Sequence, residues 1–321
     1  MLRYLARRLV GSALLLVAVV AATFLMIRLA PGDAAVTLAG SGGGDPAYLA
    51  ELRARLGLDR PVPDQLFAYV GGVFRGDLGF SVIRGRPVAA VLLERLPATL
   101  LLAATAITIS SIGGVVLGAT AAARQRSRTD WAISAGSLVV YSLPVFWLGQ
   151  LAVGLFGVRL RWLPTGGMTS ITSGPSQVER LIDLGRHLVL PAGILSLLLV
   201  GLVVRTTRTA MIGVLKEDYI RAAQARGLPA RTVLFRHALR NALRPVVTVV
   251  TTQLGLVLSA GVLVETVFSW PGLGRLLLDS VLARDNPMLV GLLLLASISI
   301  VAANFAADVL YALVDPRVRY W

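Results

Sequence analysis

Six runs of this 321-residue chain, each 17 to 28 residues long, contain no Asp, Glu, Lys or Arg: Leu9–Ile27, Ala98–Ala123, Trp131–Val158, Leu188–Val204, Pro245–Val264 and Met288–Ala307. About 20 mostly apolar residues suffice to cross the hydrocarbon core of a bilayer as a helix. In that solvent each backbone N–H and C=O needs an internal partner, which leaves helices and closed barrels as spanning structures. The runs are too long and too uniformly apolar for the alternating strands of a barrel. The chain is therefore expected to be an all-α integral membrane protein with six transmembrane helices. Its composition agrees: 15% of residues are charged, against about 25% in ordinary soluble domains.

Arg3, Arg7 and Arg8 precede the first run, as they would in a signal peptide. The 19-residue apolar run exceeds a signal core of about 7–15 residues, and no clean small-x-small cleavage site follows. It reads as a retained anchor. Pro144 and Pro191 lie inside apolar stretches, where neighbouring helices can re-satisfy the freed carbonyls. Gly114 and Gly118 form a small-xxx-small pair suited to close helix packing.

Six spans put both termini on one side. If that side is cytoplasmic, 17 of the 31 basic residues fall in short inner segments, nine of them between Arg205 and Arg244. The longer outer segments hold the other 14, and Asp33–Arg95 is balanced at seven basic and seven acidic residues. The excess of positive charge inside predicts cytoplasmic N and C termini. The same bias accounts for the net charge of +14, so no nucleic-acid partner is expected.

Cysteine is absent, and the two histidines, His187 and His237, lie on different segments. Thiolate metal sites, disulfides and Cys nucleophiles are excluded, and no metal site or catalytic residue is expected. A phosphate-binding P-loop needs a Lys after a Gly-rich turn. Lys216, the only Lys, follows Val214 and Leu215, so the chain carries no ATPase site of its own.

Residues 1–94 read as an anchor helix with an extracytoplasmic segment, 95–314 as the main transmembrane domain, and 315–321 as a cytoplasmic tail. In the outer segment, Asp45 and Pro46 open a short helix to Leu56, stopped by Gly57. A second is expected from Asp64 to Phe74, ended by Gly76, and Gly40–Gly44 is a flexible linker. Between the fourth and fifth runs, within 205–245, Asp218 is placed to cap a helix that Gly227 ends in the left-handed conformation and Pro229 forbids from continuing. A second helix is expected over about Pro229–Leu243, basic on one side. Ala222, Ala223 and Ala225 form a shallow small-residue surface on which another protein could dock; a plain topology-setting loop is the alternative.

At these residues the chain resembles a known family. Arg221-Ala222-Ala223-Gln224-Ala225-Arg226-Gly227 is similar to the EAA-type loop of ATP-binding-cassette importer permeases, with Arg221 where the general pattern has Glu and Pro245 as the distal Pro. Seven further segments resemble its B-type permeases of dipeptide, oligopeptide and nickel importers. They include Arg28-Leu29-Ala30-Pro31-Gly32-Asp33, Leu96-Pro97-Ala98-Thr99-Leu100, Glu265 through Gly274, and Asp315-Pro316-Arg317. The resemblance implies a type I importer permease fold in a bacterial cytoplasmic (inner) membrane. It implies a second, homologous permease as heterodimer partner, two ATPase subunits that bind ATP and Mg, and an extracytoplasmic substrate-binding protein. Tyr219, Arg221, Ala222, Ala223, Ala225, Gly227 and Pro245 would form the ATPase-coupling loop. Glu265, Trp270, Pro271, Gly272 and Gly274, with Gln253, would lie at an outer gate or along the pathway; for Glu265 the competing reading is a structural pair with an Arg.

The function implied is a non-catalytic permease subunit forming half of a pathway for di- or oligopeptides, with nickel, a metal chelate or another small solute as the alternative cargo. An ion-coupled secondary transporter usually carries ionisable residues near the bilayer midplane, and the central thirds of these runs have none. A channel gives no reason for the two-helix inner element.

The charge distribution predicts that Pro31–Pro97 lies outside the cell. With no native Cys, Ser41→Cys is expected to react with an impermeant thiol reagent in intact cells, after outer-membrane permeabilisation where needed. Labelling only after lysis would reverse the topology.

Overall fold

The computed structural model describes residues 2–29, 45–55, 59–170 and 176–314. The Gly40–Gly44 linker, the Gly57 stop, residues 30–33 and the tail 315–321 lie outside the described residues. The described residues are helical almost throughout: α1 Leu2–Leu29, α2 Pro46–Arg55, α3 Val62–Phe74, α4 Val88–Ala123, α5 Arg128–Ser142, α6 Val145–Ala152, α7 Gln177–Val214, α8 Asp218–Ala225, α9 Ala230–Thr232, α10 Leu239–Val267, α11 Leu273–Leu282 and α12 Asn286–Val314. A two-residue antiparallel pair, β1 Phe80–Ser81 with β2 Arg86–Pro87, is an addition to the all-helical expectation.

Every expected apolar run lies within a helix or a bent helical pair. By length and apolarity, Val88–Ala123, Gln177–Val214 and Asn286–Ala303 can each cross a membrane. The pair Arg128–Ser142 and Val145–Arg159, bent by 99°, makes a fourth candidate. The apolar part of α1, Ala13–Leu25, is shorter, and α10 covers the fifth run.

The third run is broken where a continuous helix was expected. Leu143 is extended at φ −85°, ψ 139°, and Pro144 opens α6 as its N-cap. The proline ring disfavours a helical conformation in the residue before it and supplies no N–H to continue the ladder. A π-helical turn, Val153–Arg159, then ends this arm. Pro191 and Pro97 are accommodated inside α7 and α4.

The chain divides into two compact units. The first comprises residues 1–95 and 277–301, the second 96–276 and 302–321. In the first, Val20, Val290 and Leu294 are buried with Tyr69, Val70 and Val73 against them. Phe24 meets Tyr69 at 5.8 Å between ring centroids, and burial pushes the Tyr69 hydroxyl up to about 12. The β-pair is stapled by Ser81, whose hydroxyl donates to Asp285 Oδ2 at 2.5 Å. The two outer helices form as expected. The backbone N–H of Ala47 bonds Asp45 Oδ1 at 3.2 Å at the start of α2, and Gly76, at φ 81°, follows α3.

In the second unit α7 is the central helix, packed along α10 and α5. Its contact with α4 depends on the small pair seen in the sequence. A Cβ on Gly114 would lie 2.5 Å from Val203 Cβ, and one on Gly118 would lie 2.7 Å from both Thr207 Cβ and Val204 O. Gly201 does the same toward α5, where an added Cβ would sit 3.0 Å from Ser137 O. Small residues let backbones approach where dispersion and not water drives association.

Gly118→Val is expected to lower the thermal midpoint of the purified protein, with an overpacking cost of about 1–3 kcal/mol. Gly113→Ala, whose Cβ would meet nothing within 4 Å, is expected to be neutral or stabilising, since Ala is favoured over Gly within a helix by about 1 kcal/mol. Equal midpoints for the two variants would refute the close-approach role.

Candidate coupling surface and outer loop

The segment between α7 and α10 folds as a two-part element whose inner side is the chain's own core. α8 starts at Asp218. Asp218 stands inside the first turn and does not cap: Glu217 is the extended N-cap residue and makes no side-chain cap bond. The Asp218 carboxylate lies 3.5 Å from Arg221, and an acid in the first turn also suits the helix dipole. The far end is a full Schellman closure. The N–H of Leu228 bonds Ala223 O and that of Gly227 bonds Gln224 O, with Gly227 at φ 77°. Glycine takes that conformation without a Cβ clash.

After Pro229 the chain does not form a separate helix ending near Leu243. α9 passes into a π turn, Val233–Ala238, and on into α10 without a break. Pro245 therefore lies inside α10. No glycine follows Gly227 to stop the helix before the membrane run, and Pro245 removes only one ladder bond.

The faces of α8 separate clearly. Ile220 is fully buried and Ala223 is 7% exposed. Both pack with Ala119 and Ala122 of α4, Met211 of α7, and Val233, Ala238 and Ala242. This corrects the expectation that all three alanines form an outward surface: Ala223 is turned inward, because only a small side chain fits beneath α8 there. Tyr219, Arg221, Ala222, Ala225 and Gly227 are exposed, as is Pro245. Asn241 Nδ2 donates to the Tyr219 hydroxyl at 2.7 Å, which ties the exposed face of α8 to α10. The outer surface is thus a shallow strip of small side chains flanked by arginine.

At the other end of α10, Glu265 is 1% exposed, and its carboxylate organises the loop that follows. Oε1 accepts from the Thr99 hydroxyl at 2.7 Å, and Oε2 accepts from the backbone N–H groups of Gly274, at 2.6 Å, and Arg275, at 3.1 Å. Those amides belong to the first turn of α11, so a distant residue caps this helix. Thr99 Oγ1 also accepts from the N–H of Leu273 at 2.8 Å. The charge is met by a hydroxyl and amides and not by a guanidinium: the Arg275 side chain bonds Ser269 O at 2.8 Å.

The glycines of this loop follow from the carboxylate and from the Val262 backbone beside it. A Cβ on Gly272 would collide with it, and one on Gly274 would press on Val262 and on Oε2. Pro271 sits between Gly272 and Trp270, which is fully buried. The Trp270 indole Nε1 donates to Ala98 O at 2.9 Å. Gln253, also buried, donates from Nε2 to Leu199 O at 2.8 Å, linking α10 to α7. Tyr141, Phe146 and Gln150 are exposed on this chain.

Two of these residues gave little sign in the sequence. Thr99 stood in a quoted motif without a role, and Asp130 stood just before an apolar run. Asp130 accepts from Arg208 Nε at 2.5 Å and from Arg208 NH2 at 2.8 Å, and it also takes the N–H of Arg126. A carboxylate flanking a membrane helix, with Arg on a neighbouring one, is the signal available.

Glu265→Leu is expected to strip three donors of their acceptor in a dry site, at about 1–3 kcal/mol for each buried group left unsatisfied, and to abolish accumulation in the membrane. Glu265→Gln keeps one acceptor oxygen and is expected to accumulate with a lowered thermal midpoint. Wild-type stability in Glu265→Leu would show that the carboxylate does not hold the loop.

Residues 1–103 match the family described as binding-protein-dependent transport system membrane component, N-terminal, and residues 114–320 match the binding-protein-dependent transport system inner membrane component. The chain is 39% identical over 334 residues to the di/tripeptide transport system permease protein DppB of Pseudomonas aeruginosa, covering 100% of this chain and 99% of that protein. It is 37% identical over 337 residues to the dipeptide transport system permease protein DppB of Escherichia coli K12, with the same coverage of 100% and 99%. A putative peptide transport system permease protein of Brucella abortus is 40% identical over 298 residues, 93% of each chain. Among solved structures, a chain of the MetNI methionine transporter in an inward-facing conformation shares the fold at a TM-score of 0.56 and 17% identity, over 70% of this chain and 96% of that one. A bundle of apolar helices, a capped small-residue helix between two of them and matches running the length of the sequence converge on one assignment: this chain belongs to the binding-protein-dependent transport system inner membrane components.

Proposed function

We propose that this protein is one of two permease subunits of an ATP-driven peptide importer in a bacterial cytoplasmic membrane, with both termini in the cytoplasm. Di- or oligopeptide cargo is supported by similarity along the whole chain to permeases named for dipeptides and di/tripeptides. A second, homologous permease completes the pathway, an extracytoplasmic binding protein delivers cargo, and two ATPase subunits supply ATP and Mg chemistry that this chain contributes no residues to.

The observation that carries the reading is the two-sided construction of α8. Ile220 and Ala223 anchor it to α4 and α7, while Tyr219, Ala222 and Ala225 are left exposed. A push on the exposed face is delivered directly to the helices packed beneath, which is what a coupling element between an ATPase and a transmembrane pathway requires. The Schellman closure at Gly227 fixes where that face ends. Arg221, exposed and near Asp218, replaces the general family's Glu and borders the same surface. At the other end of α10, the loop built on Glu265, Trp270, Pro271, Gly272 and Gly274, together with Gln253, is a candidate outer gate, being a rigid wall fastened to α4 through Thr99.

Ala222→Glu and Ala225→Glu are expected to leave membrane abundance normal while ATPase co-purification, or cargo-stimulated ATP hydrolysis, falls at least tenfold. Ala223→Glu buries an unpaired charge and is expected to cost a few kcal/mol, reducing abundance instead. Gly227→Asp strains the αL stop and is expected to impair both. Full peptide uptake by Ala222→Glu and Ala225→Glu would leave this segment a topology determinant only. Uptake by a complex lacking any second permease would contradict the two-subunit reading.

A further inference from the structure

α5 and α7 are pinned together at two levels within the second unit. At one, Gly201 lies against the Ser137 carbonyl; at the other, Arg208 grips Asp130 through two hydrogen bonds. Between the pins the helices part around a cleft of about 420 Å³. Its lining is amphipathic. Leu138 and Leu202 provide an apolar wall, while Ser134, Tyr141 and Thr209 contribute hydroxyls. Arg205 also lines it. Arg208 is already committed to Asp130, whereas Arg205 makes no ion pair or hydrogen bond among the described residues.

The position along α7 narrows the ligand. Arg205 directly follows the charge-free run Leu188–Val204, so its guanidinium sits where hydrocarbon gives way to the polar interface. Trp131, 75% exposed on the first turns of α5, is an aromatic of the kind that settles at that level. A wholly polar ligand would waste the Leu138 and Leu202 wall. A wholly apolar one would desolvate Arg205 without a partner, which is costly. An amphiphile with an anionic head satisfies both halves, and basic pockets between membrane helices on the cytoplasmic side suit anionic headgroups.

We propose that this cleft holds an anionic phospholipid, its phosphate on Arg205 and the Thr209 hydroxyl and its acyl chain along Leu138 and Leu202. The assignment of the lipid to the inner leaflet rests on the topology under Proposed function; the cleft's preference for an anionic amphiphile does not. Such a lipid would brace α5 against α7 between their two pins.

The test uses the full chain, extracted with its co-purifying subunits and placed in nanodiscs of phosphatidylcholine doped with phosphatidylglycerol. Retained lipid is read by native mass spectrometry. Wild type is expected to retain phosphatidylglycerol over phosphatidylcholine. Arg205→Gln is expected to lose about fivefold of that preference, the attraction of one basic residue for an anionic surface, and Arg205→Lys to keep most of it. Leu202→Trp, which fills the cleft without touching the charge, is expected to lower retention as well, and it keeps the test alive should Arg205→Gln not accumulate. Equal phosphatidylglycerol retention by wild type, Arg205→Gln and Leu202→Trp would overturn the proposal. So would displacement of the lipid by a free-carboxylate tripeptide but not by its C-terminal amide, which would make the cleft a carboxylate subsite for cargo. Thiol labelling at position 41 reads the topology separately, so failure of the leaflet assignment is distinguishable from failure of the site.

Discussion

Hydrocarbon offers no hydrogen bonds, and nearly every feature of this chain follows from living with that. Each apolar run must satisfy its own backbone and so becomes helical. With no water to expel between helices, their association depends on how closely the backbones approach. Gly114, Gly118 and Gly201 set that approach around α7, two toward α4 and one toward α5. The central position of α7 is a consequence of having glycines facing it or within it on both of these sides.

The same constraint governs the polar groups. Glu265, Asp130 and Gln253 are buried, and each is used where two elements need a directional fastening. Glu265 gathers donors from α4 and α11, Asp130 holds Arg208 across the α5–α7 pair, and Gln253 reaches the Leu199 carbonyl. Because an unsatisfied donor in such surroundings is expensive, these fastenings make the geometry specific where apolar packing alone would tolerate sliding. The loop after α10 shows the effect in sequence as well: Gly272 is there because a carboxylate occupies the space a Cβ would need, and Gly274 because the Val262 backbone and that carboxylate do.

The candidate site was legible in part. The αL stop at Gly227 and the helix before it were visible because a glycine followed closely by a proline leaves the backbone little choice. The role of Ala223 was not visible. Alanine is equally suited to lying beneath a helix and to being lain upon, and only the contact with Ala119, Ala122 and Met211 decides between them. The fate of Pro144 and Pro245 was likewise open. One breaks its run and the other rides inside α10, since a proline permits either outcome in a membrane helix.

The amino-acid sequence by itself determined that the chain is helical and membrane-embedded, where its apolar runs fall, that it can hold neither a thiolate metal site nor a P-loop, and where its inner helix stops. Those properties depend on composition and on residues close together in the chain. The tertiary structure alone decided that Glu265 caps a helix with Thr99 from 166 positions away, that Asp130 meets Arg208 across 78, and which alanines of α8 face outward. Such pairings are matters of distance in space, and an aperiodic polar residue beside a uniform apolar run carries no local mark of the partner it will find.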